Sequence, residues 1–141
     1  MNSQLTIALH ILGFSAARAG DPVTSDELAR TYGTSPVVLR RVLSKLRRAG
    51  LVETRRGPGG GTVLARPASA ITLRDAYDAV ADDSHILHRH PSDCQGRAAT
   101  VLAEYVNGLY ADAEQALLER LGATTIDEMD RHVRAAICGS S

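Results

Sequence analysis

The sequence predicts a mainly α-helical fold with one small β-hairpin, and three features of the chain predict it. Two short helical segments, each with a clear start signal, follow one another closely in the first third of the chain. Two short extended runs then flank a glycine-rich tip. Apolar residues at helical spacing fill a long segment near the C-terminus. These features predict a helical N-terminal half that contains the hairpin, followed by a long C-terminal helix.

The first two helices are predicted from apolar spacing and from their end signals. Residues 4–17 carry apolar side chains at helical spacing, and the Gly-Asp-Pro run at 20–22 ends that helix. Thr24 and Glu27 have the spacing of a capping box, in which the hydroxyl and the carboxylate each accept a backbone amide. A short second helix therefore starts there, and Gly33 suits a left-handed cap at its end.

The third helix is predicted over residues 36–49, directly after the second. Ser35 is placed at the N-cap, and Pro36 at the first helical position, where its missing N–H has no cost. Gly50 ends this helix. Two capped helices joined by a tight turn around a glycine form a helix-turn-helix motif.

A β-hairpin is predicted directly after the third helix. Residues 51–56 and 62–65 are its two extended runs, and the Gly-Pro-Gly-Gly-Gly run at 57–61 is its tip. A hairpin in this position is called a wing. With a short helix that starts after Thr72, residues 1–80 are predicted to form a winged helix-turn-helix DNA-binding region.

The rest of the chain is predicted to form a loop and two further helices. Residues 81–96 are polar and include three histidines, so we interpret them as a sensor-like loop. Residues 97–121 carry a long apolar stripe that predicts a long helix. The run from Thr125 to Glu128 then opens a last helix. Residues 97–141 are therefore predicted to form a long helix and a C-terminal helix.

Charge is distributed unevenly along the chain, although the formal net charge is zero. Residues 1–66 hold ten Lys or Arg against four Asp or Glu, and residues 67–141 hold six against twelve. A basic half joined to an acidic half is typical of a protein whose basic half meets a polyanion. Double-stranded DNA is therefore the predicted partner, and sequence-specific transcription regulation is the predicted function.

The predicted DNA-binding residues come from the third helix and the wing. The second helix of a helix-turn-helix motif lies in the major groove, with its N-terminal residues nearest the base edges. We therefore expect base contacts from Ser35, Val37, Arg40 and Arg41. The other residues of the set are expected at phosphates or in the minor groove, and they are Lys45, Arg47, Arg48, Arg55, Arg56, Gly59 and Gly60.

Three stretches carry a resemblance to a known family: residues 34–52, the Arg-Gly-Pro-Gly-Gly-Gly run at 56–61, and the Ile-Thr-Leu-Arg-Asp run at 71–75. The chain resembles the Rrf-two family of bacterial winged-helix transcription regulators, the family of IscR, NsrR and CymR. The likeness implies a homodimer in which the long helix crosses its mate, and base contacts at Ser35, Val37 and Arg40. It also implies Arg56 as the minor-groove residue. We expect a repressor that acts on a palindromic operator.

The resemblance also bears on cofactors. Family members that hold an iron–sulphur cluster usually carry three closely spaced cysteines before the long helix, and this chain has only Cys94 there. The chain is therefore expected to lack the usual cluster, and no cofactor is firmly predicted.

Several alternatives for the sensed signal stay open. An iron–sulphur cluster or zinc is one, with His10, His88, His90 and Cys94 as candidate ligands, because imidazole and thiolate suit such metals. A redox switch at the thiol of Cys94 is another. A small-molecule effector is the third. For His10, a histidine in the apolar core is the competing interpretation.

Other functional classes fit the sequence less well. An enzyme is not expected, because the glycine run at 57–61 lacks the Lys of a phosphate-binding loop and leads into a strand. The alternative function is a winged-helix protein–protein interaction module without DNA binding, although such a module would not need five cations on one helix. The sequence contains no bilayer-spanning apolar run and no signal-peptide pattern, so a cytoplasmic location without membrane contact is expected.

Overall fold

The computed structural model describes residues 3–81 and 95–139. Within these ranges the chain forms six α-helices and one two-stranded antiparallel sheet. In chain order they are α1 (Ser3–Ala17), α2 (Ser25–Tyr32), α3 (Pro36–Arg48), β1 (Val52–Arg55), β2 (Gly61–Leu64), α4 (Leu73–Val80), α5 (Arg97–Gly122) and α6 (Ile126–Cys138). A short 3-10 turn covers Ala68–Ala70. The predicted fold class, mainly α with one hairpin, is confirmed, and most of the predicted loop lies outside the described residues.

One apolar core joins the helices of the winged unit. It is built from aliphatic side chains, among them the fully buried Ile11 and Leu12 of α1 and Leu39 and Leu46 of α3. Ile126, the first residue of α6, is part of the same core. Because one face of α3 is sealed in this core, its opposite face must point to solvent.

Three helices start with capping boxes, of which the sequence predicts the one at Thr24. In α2, α4 and α6 a threonine hydroxyl accepts the amide three residues on, and the acidic side chain there accepts the threonine amide. Gly33 adopts the predicted left-handed conformation after α2, with φ of 60°.

The start of α3 differs from the prediction in one respect. Ser35 is at the N-cap and Pro36 is the first helical residue, but the Ser35 side chain accepts no hydrogen bond from the helix. The serine therefore leaves its hydroxyl available, and the proline removes one of the four amides that lack a partner in the first turn. The helix ends at Arg48 with Ala49 as its cap, one residue earlier than predicted.

The capping box of α2 makes folding stability depend on pH. The Glu27 carboxylate accepts the Thr24 amide at 2.9 Å and pairs with Arg18, and these contacts hold the pKa of Glu27 below its ordinary value. Such a group stabilises the fold above its unfolded-state pKa, and the contribution is lost as pH falls through the folded-state pKa. We expect Glu27→Gln to lower Tm at neutral pH and to match the wild type once the pH lies below the lowered folded-state pKa of Glu27, since Gln keeps the box without the charge. Thermal unfolding followed by circular dichroism measures this, and a Tm difference that is constant with pH would contradict it.

The wing makes a further β-bridge that the sequence did not reveal. β1 and β2 pair from Val52 with Leu64 at the base to Arg55 with Gly61 at the tip. Val23 forms an isolated bridge with Thr62 on the other edge of β2, through hydrogen bonds of 2.9 and 2.8 Å. The half of β2 next to the tip is therefore attached to the segment that leads into α2.

The last helix returns to the first one. The Leu73 amide donates to the Thr124 carbonyl at 2.9 Å, and the Ile126 amide donates to the Ile71 carbonyl at 2.8 Å. α6 then packs along α1, where a methyl group of Met129 lies close against Gly13. A guanidinium nitrogen of Arg134 donates to the Ala17 carbonyl at the end of α1, at 3.2 Å.

In the described part of the chain, the long helix α5 packs on its neighbours through one face. Its Ala103 is buried, and its Glu114 accepts a 3.4 Å hydrogen bond from Tyr77 of α4. Another face leaves large apolar side chains exposed, and they are Val101, Leu102, Tyr105, Leu109 and Leu117. None of the helices in the described ranges combines the length and apolarity that crossing a bilayer requires.

Candidate nucleic-acid interface

The exposed face of α3 carries the cations that the sequence places there. Leu39, Val42, Leu43 and Leu46 are buried on the inner face of α3. The guanidinium-bearing residues Arg40, Arg41, Arg47 and Arg48 are all exposed. Residues seven apart share a helix face, so these four form two rows, with about 10 Å along the axis between the members of each row.

The α3 arginines are not neutralised by carboxylates of the described residues. The ion pairs found there lie elsewhere, and they are Arg18–Glu27, Arg74–Asp78, Arg131–Asp127 and Arg134–Asp130. A row of unpaired cations on a rigid helix creates a local positive potential. This face is therefore suited to an extended anion.

The N-terminal end of α3 projects an apolar side chain and a hydroxyl. Val37 is 62% exposed although it belongs to the first turn of the helix. Ser35 beside it is exposed, and its hydroxyl does not cap the helix. An exposed methyl pair and a hydroxyl at a helix N-terminus suit contact with a thymine methyl and with a phosphate or base edge.

Two of the predicted phosphate contacts are held by neighbours in the chain. Lys45 is half-buried, and its Nζ donates to Oε1 of Gln4 at 2.8 Å. Arg47 is exposed, and its Nη1 donates to Oγ1 of Thr54 on β1 at 3.4 Å. The sequence did not identify Gln4 and Thr54 as partners of these cations. Thr54 could have been identified, because it lies on a strand beside the predicted cations of the wing and faces outward.

The tip of the wing is a tight turn of glycines. Gly57 and Gly59 have φ of 95° and 74°, in the left-handed region that favours glycine. The Gly60 amide donates to the Gly57 carbonyl at 2.9 Å and closes the turn. Arg55 and Arg56 precede this turn and are exposed. The turn therefore presents two cations and a bare backbone on the outer edge of the winged unit.

An aromatic cluster lies on α1 and α2. The rings of His10 and Tyr32 are stacked with centroids 4.4 Å apart, and the edge of Phe14 meets Tyr32 at 6.1 Å. Burial raises the pKa of the Tyr32 hydroxyl. His10 is exposed, so its interpretation as a core histidine is wrong. The other candidate metal ligands, His88, His90 and Cys94, lie outside the described residues.

The comparisons with known proteins agree with this geometry. A family model named Rrf2, described as an iron-dependent transcriptional regulator, matches residues 1–132. The chain belongs to the Rrf2 family. It is 36% identical to protein aau3 of Rhizobium meliloti over 133 residues, which are 92% of this chain and 83% of that protein. It is 30% identical to the HTH-type transcriptional regulator IscR of Xenorhabdus nematophila over 131 residues, 92% of this chain and 73% of that one.

A solved structure extends the likeness to the fold. CymR (YrzC), the global cysteine regulator of B. subtilis, matches with a TM-score of 0.71 and 25% sequence identity, over 94% of this chain and 96% of that one. The Rrf2 protein described here is thus a DNA-binding transcription regulator with a winged-helix fold. The alternative function, a protein–protein interaction module without DNA binding, is not supported.

The Rrf2 description names iron. Within the described ranges no three His, Cys, Asp or Glu side chains come together in a way that could hold a metal ion, and His10 is stacked on Tyr32. The described residues therefore do not form a site that fits an iron ion. The assignments of Cys94 and the loop histidines to a redox or metal sensor stay predictions.

Proposed function

We propose that this Rrf2 regulator acts as a homodimeric repressor on a two-fold symmetric operator in the cytoplasm, without catalytic activity. The observation that carries the proposal is the outward cationic face of α3, which Arg47 joins to β1 of the wing through Thr54. Repression requires only that a bound dimer covers the promoter. A small winged-helix dimer can do this without contacting another protein.

The proposed reading of DNA divides α3 into two halves. Ser35, Val37, Arg40 and Arg41 near its N-terminus contact base edges, where an arginine can bind guanine through two parallel hydrogen bonds. Lys45, Arg47 and Arg48 contact phosphates and set the orientation of the helix. The bond from Arg47 to Thr54 supports this assignment, because it links α3 to β1 and so holds the helix and the wing in one orientation.

The wing supplies the second proposed contact. Arg55 and Arg56 contact a phosphate ridge or enter a narrow minor groove, whose negative potential attracts arginine. Gly59 and Gly60 allow the backbone of the tip to approach the sugar–phosphate chain without side-chain obstruction. The exposure of both arginines and the closed glycine turn support this placement.

The proposed dimer is formed by α5 against its twin. Val101, Tyr105 and Leu109 follow each other at four-residue spacing and so share one helix face, and Tyr105 is 67% exposed in the single chain. Large contiguous apolar patches on a soluble protein usually mark an interaction surface. Pairing of this face sets two α3 helices about one DNA turn apart, which is why the operator is expected to be palindromic.

Arg40→Ala tests the assignment of base contacts. We expect it to relax preference at one base pair of each half-site, with a loss on the order of 1–3 kcal/mol for the preferred base. Selection of bound duplexes from a random pool defines the wild-type operator, and fluorescence anisotropy on single-base variants then measures the loss. The matched control is Arg48→Ala, which should weaken binding to all duplexes alike and reduce its salt dependence. Uniform weakening by Arg40→Ala as well would refute its role in base recognition.

A further inference from the structure

Lys45 differs from the other cations of α3 in its surroundings. The four arginines of this helix are exposed, whereas Lys45 is half-buried. A half-buried lysine keeps its hydrocarbon stem against the protein and its ammonium group at the surface. The place of that ammonium group therefore depends on residues outside α3 as well as on the helix itself.

The ammonium group of Lys45 is held by a residue of α1. Its Nζ donates to Oε1 of Gln4 at 2.8 Å, although the two residues are 41 positions apart in the chain. A hydrogen bond from a charged donor at this distance is short and comparatively strong. Gln4 lies in the first turn of α1, and α1 packs against α3 in the core. The bond therefore fixes the ammonium group relative to both helices.

The side chain that accepts this bond carries no charge. A carboxylate at the position of Gln4 would offset the positive charge of Lys45, whereas a carboxamide orients the ammonium group and leaves its charge in place. An ammonium group has three N–H donors, and the bond to Gln4 uses one of them. Ordering a lysine side chain costs conformational entropy, and this cost opposes binding when it arises at an interface. A lysine that is ordered on folding therefore binds an anion more tightly than a mobile one.

We propose that Gln4 is a positioning residue for DNA binding, which holds the ammonium group of Lys45 in place for a phosphate oxygen. The inference rests on the proposed phosphate contact of Lys45 and extends it to α1, which supplies none of the predicted DNA-binding residues. Phosphate contacts fix the register of a protein on the duplex, so Gln4 acts on the orientation of α3 through Lys45. A bond that only joined α1 to α3 would contribute to stability and not to DNA binding.

A double-mutant cycle on the full chain tests the coupling of Gln4 to Lys45. Gln4→Met and Lys45→Met keep a stem of similar length and remove the bonding group. Fluorescence anisotropy measures affinity for a duplex of mixed sequence over a series of salt concentrations. We expect Lys45→Met to weaken binding and to reduce the salt slope by about one. Gln4→Met should weaken binding about threefold to tenfold with the wild-type slope, and should have no further effect when Lys45 is already replaced.

The outcomes of the cycle distinguish this inference from the proposed function. Unchanged binding in Gln4→Met, or an equal loss with and without Lys45, overturns the inference and leaves the phosphate contact of Lys45 intact. Unchanged binding in Lys45→Met overturns that contact and the inference together. A wild-type chain that binds no duplex overturns the proposed function as a whole, and the inference with it.

The ordering of Lys45 is measured without DNA. The 15N relaxation of labelled lysine ammonium groups reports their motion on the picosecond to nanosecond timescale. We expect the ammonium group of Lys45 to be restricted in the wild type and mobile in Gln4→Met. Equal mobility in the two proteins overturns the inference, whatever their affinity for DNA.

Gln4→Glu separates positioning from stability. A carboxylate in the first turn of α1 is favoured by the helix dipole and pairs with Lys45, so Tm should equal or exceed that of the wild type. The same pair offsets the charge of Lys45, and we expect weaker DNA binding with a salt slope reduced by about one. The matched control is Thr6→Glu, which places the same charge at an exposed position on the other side of α1 and should keep the wild-type slope. A wild-type slope in Gln4→Glu, or the same reduction in Thr6→Glu, overturns the inference.

Discussion

Leu109→Asp is expected to convert the proposed dimer into monomers. Leu109 lies in the middle of the exposed apolar face of α5 and is 50% exposed in the single chain. Pairing through this face buries the new carboxylate twice in a symmetric dimer, without a cation to match it. An unpaired buried charge costs about 3–5 kcal/mol, so dimer affinity should fall by on the order of 100-fold or more. Sedimentation equilibrium measures the change, and operator affinity should fall with it because two half-sites are no longer bound together.

The matched control for this variant is Gln115→Asp. It places the same carboxylate on the same helix, at an exposed position outside the apolar stripe. We expect it to remain dimeric and to bind the operator as the wild type does. A Leu109→Asp protein that sediments as a dimer would show that another surface pairs the chains.

Gly60→Ala is expected to disrupt the tip of the wing and to weaken DNA binding by about tenfold or more, the effect of losing one or two phosphate or groove contacts. A Cβ at Gly60 would overlap the carbonyl oxygen of Arg55 and approach that of Gly57 to 2.8 Å. Both atoms belong to the backbone of the turn and cannot swing aside, so the hydrogen bond from Gly60 to Gly57 must break. Arg55 and Arg56 then lose their fixed position. Fluorescence anisotropy measures the affinity, and circular dichroism should show an unchanged helix content.

Gly59→Ala separates close packing within the turn from the approach of the turn to DNA. A Cβ there meets open space in the chain, so the substitution costs the left-handed conformation of an alanine, about 1–2 kcal/mol, and places one methyl group at the proposed DNA contact without displacing the turn. We expect a much smaller loss of affinity than for Gly60→Ala. Equal losses in the two variants would mean that the backbone conformation, and not the close packing at Gly60, governs the wing.

The sequence was sufficient for features that depend on residues close together in the chain. The capping box at Thr24, the helix starts at Thr72 and Thr125 and the left-handed Gly33 follow from local hydrogen bonding and backbone sterics. The exposure of the α3 arginines follows from the helical spacing of the leucines on its other face. Local rules were therefore enough to predict the hairpin, the helix ends and the cationic face.

Contacts between distant parts of the chain were not predictable in this way. The bridge from Val23 to Thr62 and the bond from Lys45 to Gln4 join segments that are far apart in sequence. The residue pattern of one segment does not predict its contact with the other. The half-burial of Lys45 depends on the position of α1 in the fold, and the periodicity of α3 alone does not predict that position. Similarly, Ser15 has the spacing of an ordinary inward-facing residue of α1, and its lack of a partner is visible only in three dimensions.

The packing of α6 on α1 has a consequence for how the protein comes to fold during synthesis. Ile126 completes the core to which Ala8, Ile11 and Leu12 contribute, and it leaves the ribosome long after they do. Until then, the apolar side of α1 lacks the contact that Ile126 provides, and the core between the neighbouring helices is incomplete. A nascent chain that has already produced its arginine-bearing helix therefore reaches its final form only after Ile126 has emerged.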